Sequence, residues 1–172
     1  LGDQAVGKPP LFRSSSTTNL TKVQSKYPHT KPTVAIDYVY KNVSYKGKNY
    51  RLQLWDTAGQ ERYHSLIPIY LKDAHCAIIV YDVTSRASFK GVEKWLTNSN
   101  SALGTTLQSF LLAIRSTLLR GGYYSTQGST RNEAEARAKE LKVEYMEVSA
   151  KTGKRLHDLF NASIDIIVSR QQ

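Results

Sequence analysis

The chain has 172 residues, 40% hydrophobic and 22% charged, with a formal net charge of +10 and one cysteine, Cys76. That length buries about two thirds of the unfolded surface in a single domain without a staple, and one cysteine excludes a disulfide framework or a cysteine-rich zinc site. The longest apolar run, Cys76 to Tyr81, is six residues, against the roughly 20 that a membrane-spanning helix needs.

The chain begins at Leu1, no signal segment follows, and it reads as a cytosolic fragment. Its charge is +6 over residues 1–50, +1 over 51–96, +3 over 97–132 and zero over 133–172. A pI near 9.7 raises nucleic acid as a partner. No lysine run exceeds the alternating pair Lys46 and Lys48, and no RNP-like or helix-turn-helix pattern appears. Scattered surface lysines are the better reading, and nucleic acid is not expected.

In chain order, Gly2-Asp3-Gln4-Ala5-Val6-Gly7-Lys8 comes first. This is the GxxxxGK pattern of a phosphate-cradling loop: glycines turn tightly, backbone N–H groups point inward, and Lys8 reaches the terminal phosphates. The pattern normally closes with Ser or Thr, whose hydroxyl coordinates Mg²⁺. Here Pro9 and Pro10 follow, offering neither hydroxyl nor N–H. Residues 12–31, with Ser14-Ser15-Ser16-Thr17-Thr18, show no clean helical face.

Val39 to Tyr45, the loop Lys46-Gly47-Lys48-Asn49, and Tyr50 to Trp55 predict a β-hairpin. Thr33, ahead of it, is either an exposed strand-edge threonine or a switch that closes over Mg²⁺ and γ-phosphate. Asp56-Thr57-Ala58-Gly59-Gln60 follows the second strand. Asp56 is placed to hold Mg²⁺ through water, Gly59 to turn its N–H toward a γ-phosphate, and Gln60 to orient an attacking water. Without the Asp-x-x-Gly before it, Gln60 would read as a solvated loop residue.

Ala77 to Tyr81, ending at Asp82, predicts a strand covered on both faces. Ser85 to Leu96 predicts a helix through Phe89, Val92, Trp95 and Leu96. Residues 97–132 form an irregular segment, with twelve Ser/Thr, no acid, and one strand-like burst at Phe110 to Ile114. A shifted reading frame or a mis-spliced segment is the simplest cause of so abrupt a change. Thr130-Arg131-Asn132-Glu133 is a capping box opening a helix over Ala134 to Leu141. A short strand, Val143 to Val148, and a helix striped by Leu156, Leu159, Phe160, Ile164, Ile167 and Val168 complete the chain. Alternating strands and helices predict an α/β, three-layer, doubly wound and mostly parallel sheet of five or six strands in one domain, residues 1–172. Cys76 reads as a core thiol, the four histidines lack ligand spacing, and Trp55 and Trp95 read as core or effector-facing aromatics.

Residues 33–96 resemble a Rab-family small GTPase, above all in Arg51-Leu52-Gln53-Leu54-Trp55-Asp56-Thr57-Ala58-Gly59-Gln60-Glu61-Arg62-Tyr63. His64-Ser65-Leu66-Ile67-Pro68-Ile69-Tyr70 is most similar to the Golgi-associated Rab subgroup. Ser149-Ala150-Lys151 resembles the family's late guanine-contacting loop, where a backbone N–H meets the base oxygen. The resemblance implies a P-loop fold and a Mg²⁺-dependent GTP/GDP switch in vesicle transport, cytoplasmic and peripheral to Golgi or vesicle membranes. Its partners would be effectors, an exchange factor and a GTPase-activating protein. The implied nucleotide contacts are Gly2, Asp3, Ala5, Val6, Gly7, Lys8, Thr33, Gly59, Ser149, Ala150 and Lys151. Thr33 and Asp56 would hold Mg²⁺, and Gln60 would be catalytic.

The sequence departs from that pattern in several places. Only Leu1 stands where such proteins have a central apolar strand, and Lys8 to Thr33 is several residues longer than usual. Ala35 replaces a glycine, and Ile114-Arg115-Ser116-Thr117 stands where an Asn-Lys-x-Asp would set guanine specificity. The chain ends Arg170-Gln171-Gln172, without prenylated cysteines, so membrane attachment would need a lipid tail that is absent here. Two functional readings stand besides the nucleic-acid one: a GTP-hydrolysing switch, and a nucleotide-poor module that keeps the effector surface without the chemistry.

Overall fold

A computed structural model describes residues 1–4, 6–8, 11, 36–59, 67–103, 110–115, 128–150 and 152–169. Five strands and four helices lie among them. The strands are β1 (Ile36–Tyr45), β2 (Lys48–Thr57), β3 (Ala77–Asp82), β4 (Phe110–Arg115) and β5 (Glu144–Val148). The helices are α1 (Ile67–Leu71), α2 (Arg86–Leu103), α3 (Arg131–Leu141) and α4 (Leu156–Val168).

The strands form two sheets. β1 and β2 make an antiparallel hairpin, while β3, β4 and β5 run parallel in that order. The hairpin corrects the expected four-residue loop. Lys48 and Asn49 are strand residues paired with Tyr45 and Ser44, and the turn is Lys46-Gly47 alone, with φ of 49° and 74°. Two successive positive φ values give the mirror-image turn whose twist matches the flanking strands.

Over β3–β5 the three-layer arrangement holds. Ala77, Ile79 and Tyr81 of β3 enter a core with Phe89, Val92, Trp95 and Leu96 of α2 and Ala134 and Ala138 of α3. On the opposite face Val80 and Val148 meet Leu156 and Leu159 of α4, together with Val6 and Leu11. The hairpin has its own core: Val43, backed by Val39, Leu52 and Leu54, packs on Phe160 and Ile164 of α4. Leu1 continues the ladder of β3. Its N–H donates to Ile78 O at 2.7 Å, and Val80 N–H donates to Leu1 O at 2.8 Å.

The irregular segment is partly absorbed into this frame. α2 runs on through Leu103 rather than stopping at Leu96, and within the added turns buried Ser99 satisfies its hydroxyl on Trp95 O, 2.7 Å away. The Phe110 burst is the central strand of the parallel sheet, and Ser129 N–H bonds Val83 O at 3.1 Å. Residues 104–109 and 116–127 lie outside the described residues. The capping box is present: Thr130 Oγ1 accepts from Glu133 N–H, and the Glu133 carboxylate also meets Arg86 of α2 at 2.5 Å. Among the described residues no helix is long and apolar enough to cross a membrane.

Candidate functional site

The loop from Gly2 to Lys8 lies against the C-terminal part of β3. Gly2, at φ +138°, sits so close to the sheet that a Cβ there would stand 2.1 Å from Val80 O, and Gly7 also has positive φ, 94°. Only glycine meets both demands without strain. Val6 is buried in the same cluster as Ala150, so the loop and the Ser149-Ala150 turn share one apolar floor.

Lys8 is buried and folds back over its own loop, its ammonium donating to Gly2 O at 2.6 Å and to Asp3 O at 2.8 Å. Two of three ammonium donors are thereby fixed in direction, leaving the third for an anion. Burial lowers its pKa to about 8, and the carboxylates of Asp56 and Asp3 partly oppose that shift. An ammonium held in low dielectric with its own loop's carbonyls as partners is strongly attractive to a phosphate, which restores what desolvation removed.

Asp56 and Thr57, both buried, end β2. Gly59 then passes directly over the loop: a Cβ on it would lie 2.3 Å from Gln4 N and 2.4 Å from Asp3 C. The two loops are therefore in backbone contact. Asp3 itself faces elsewhere than a phosphate contact implies. Its Oδ1 accepts the indole N–H of Trp95 at 2.8 Å, and Gly91 of α2 lies so near that a Cβ would stand 2.9 Å from Oδ2. Its carbonyl, not its carboxylate, faces Lys8.

At the other end, the Ser149 turn is closed on itself. Ser149 N–H donates to Lys154 O at 3.1 Å, Ser149 Oγ accepts from Thr152 N–H at 3.2 Å, and Gly153 N–H donates to Ser149 O at 2.9 Å. Ser149 thus has no N–H to offer a base.

Of the predicted site residues, the structure brings together Gly2, Asp3, Val6, Gly7, Lys8, Asp56, Gly59, Ser149 and Ala150. Ala5, Thr33, Gln60 and Lys151 lie outside the described residues, as does Pro9. A nucleotide's phosphates fit this set: a buried cation and a glycine-lined backbone cradle. Mg²⁺ fits it in part. The Asp56 carboxylate is in place and Thr57 Oγ1 is buried without a partner among the described residues, while Pro9 carries no hydroxyl. Trp95 and Gly91 were not anticipated as parts of the site; the only hint was that a buried indole N–H needs an acceptor. A family model described as "Ras family" matches residues 1–169 of the chain.

Proposed function

The chain belongs to the Ras family, whose members are GTP-binding small GTPase switches that work with guanine nucleotides, Mg²⁺, regulators and effectors, and on that premise we propose that it acts as a Rab-type member in vesicle-mediated transport. In this reading Lys8 and the backbone of Gly2 to Gly7 hold the phosphates. Asp56 and Thr33 hold Mg²⁺, Gly59 meets the γ-phosphate, Gln60 orients the water, and the Ala150 N–H meets the base. The protein is cytoplasmic and peripheral to Golgi or vesicle membranes.

The observation that carries the Rab-type reading is the outer face of the hairpin. Tyr38, Tyr40 and Trp55 are 51%, 48% and 36% exposed, and Tyr38 meets Tyr40 edge-to-face at 5.6 Å and Trp55 at a tilt at 5.3 Å between centroids. Strand alternation puts them on the face opposite the α4 contact. Three exposed aromatics flanked by Arg51, whose guanidinium lies 4.1 Å over Tyr40, form an anchor of the kind partners use. They lie in the half of the hairpin that leads to Asp56 and the Gly59 loop, with Trp55 adjacent to Asp56, so hydrolysis at the phosphates would be felt there.

The nucleotide-poor module is the second reading, favoured by Pro9 and by Ile114-Arg115-Ser116-Thr117. Denaturing the purified protein and identifying what it releases separates the two. Stoichiometric GDP or GTP supports the switch. Effector binding by a nucleotide-free protein, unchanged on adding GTP, supports the module.

A further inference from the structure

Asp3 sits at a three-way junction. Its carboxylate accepts the Trp95 indole N–H at 2.8 Å, its carbonyl accepts the Lys8 ammonium at 2.8 Å, and its peptide is pressed against Gly59. Trp95 is buried on α2, 92 residues away in sequence. The peptide of Asp3 carries both a carbonyl that aims Lys8 and the bond to Gln4 N, one of the N–H groups of the phosphate loop. If the carboxylate is released, that peptide loses its fixed side and both groups can turn.

We propose that Asp3 is a positioning residue: Trp95 holds its carboxylate in the space that Gly91 leaves open, and through it α2 sets the aim of Lys8 and so the affinity for the terminal phosphates. The inference rests on the nucleotide-binding reading above.

Gly91 separates this role from simple packing. A methyl group there would stand 2.9 Å from Asp3 Oδ2 and 3.3 Å from Oδ1. The atoms that must give way are the end of a side chain, not backbone. Gly91→Ala should therefore lift the carboxylate off Trp95 while the helix gains from losing an interior glycine. A purely structural contact would lose function only in step with stability, so two variants of unequal stability and equal affinity loss separate the roles.

The test uses the full chain with a fluorescent GTP analogue, beside thermal unfolding and the indole ¹H–¹⁵N resonance of Trp95. In Gly91→Ala and Asp3→Ala the indole resonance shifts, and affinity falls about tenfold, the scale of one charge-assisted hydrogen bond transmitted in part. Gly91→Ala offsets part of the lost indole bond by removing a helix-interior glycine, so it melts above Asp3→Ala while losing the same affinity. Asp3→Asn, whose amide oxygen still accepts the indole N–H, keeps affinity within about twofold. The double variant Gly91→Ala with Asp3→Ala is no weaker than either alone, since both break one contact. Wild-type affinity in both Gly91→Ala and Asp3→Ala, or the same loss in Asp3→Asn as in Asp3→Ala, would overturn the inference and leave nucleotide binding standing. Failure of the wild type to bind any nucleotide would sink the binding reading, and this inference with it.

Discussion

On the phosphate side of the site, Lys8, Gly2, Asp3 and Gly59 meet within hydrogen-bond or backbone contact distance. On the base side the Ser149 turn is equally closed, but facing it β4 ends in Ile114-Arg115 and the chain continues Ser116-Thr117. A carboxylate accepting two hydrogen bonds is what separates guanine from adenine, and no residue of that stretch carries one. The phosphate half depends on glycine and lysine, whose geometry comes from the backbone. The base half depends on one side chain at one position. On the proposed reading, backbone-built recognition would survive an abrupt change of sequence nearby, and side-chain recognition would not.

Four experiments break or sharpen that contrast. The largest effect is expected from Lys8→Ala, which removes the cation and its directed donors. Triphosphate affinity should fall about a thousandfold, several charge-assisted bonds at once, measured by fluorescent nucleotide titration; wild-type affinity would place the phosphates elsewhere.

The next is a pH effect. Lys8 titrates near 8 in the folded chain, against 10.5 as its ordinary value. Between those values the unfolded chain binds the proton more tightly, so stability rises with pH. The full cost of the buried charge applies below pH 8 and is gone above 10.5. Relative to Lys8→Met, the wild type should gain about 3 kcal/mol over that window, read from urea unfolding of both proteins, where shared tyrosine ionisation cancels. A flat difference would mean that the ammonium is not buried.

Third, Pro9→Thr restores a hydroxyl for the metal and should tighten Mg²⁺-dependent binding at least tenfold, one charge-assisted contact. Nanomolar, Mg²⁺-dependent affinity in the wild type would show that the hydroxyl is already supplied. Smallest is the base preference. GTP should compete with ATP by less than about a hundredfold in the wild type, and Thr117→Asp should raise the ratio about tenfold. A strong guanine preference in the wild type would erase the contrast.

Periodicity and turn chemistry made much of this legible beforehand. The alternation in Val39 to Tyr45, the six-residue run ending at Tyr81, the Thr130–Glu133 box and the Leu156 to Val168 stripe each express one local preference, and each is realised. The misses are tertiary. Lys46-Gly47 lacks the Asn-Gly signal of a two-residue turn, because Lys46 adopts positive φ only under the pull of ten paired residues on each strand. α2 outruns its apolar pattern, and its extension buries Ser99, whose hydroxyl is satisfied internally and leaves no apolar period to read. α1 is too short to leave a period. The carboxylate of Asp3 reads as a phosphate-loop residue by spacing, and nothing in the spacing reveals an indole on a helix 92 positions away. Thr33 and Gln60, legible only as motif positions, lie outside the described residues. The acid-free stretch from Thr97 supplies a central strand and seven residues of helix, so its composition alone misjudges its place; peptide mapping from Trp95 to Glu133 checks that this stretch is made as written.

One edge of α4, Leu156 and Leu159, is set in the core beneath the parallel sheet; the next edge, Phe160 and Ile164, is set in the hairpin's core. At the far end Asp165 grips the hairpin's turn through Lys46 at 2.8 Å and through the Tyr45 hydroxyl. The helix is therefore an axle shared by two bodies, and the hairpin should open with it as one sub-global unit. In native-state hydrogen exchange the amides of β1 and β2 would then share a single opening energy with those of α4, below that of β3 to β5, and shaving Phe160 to alanine would lower the first without the second.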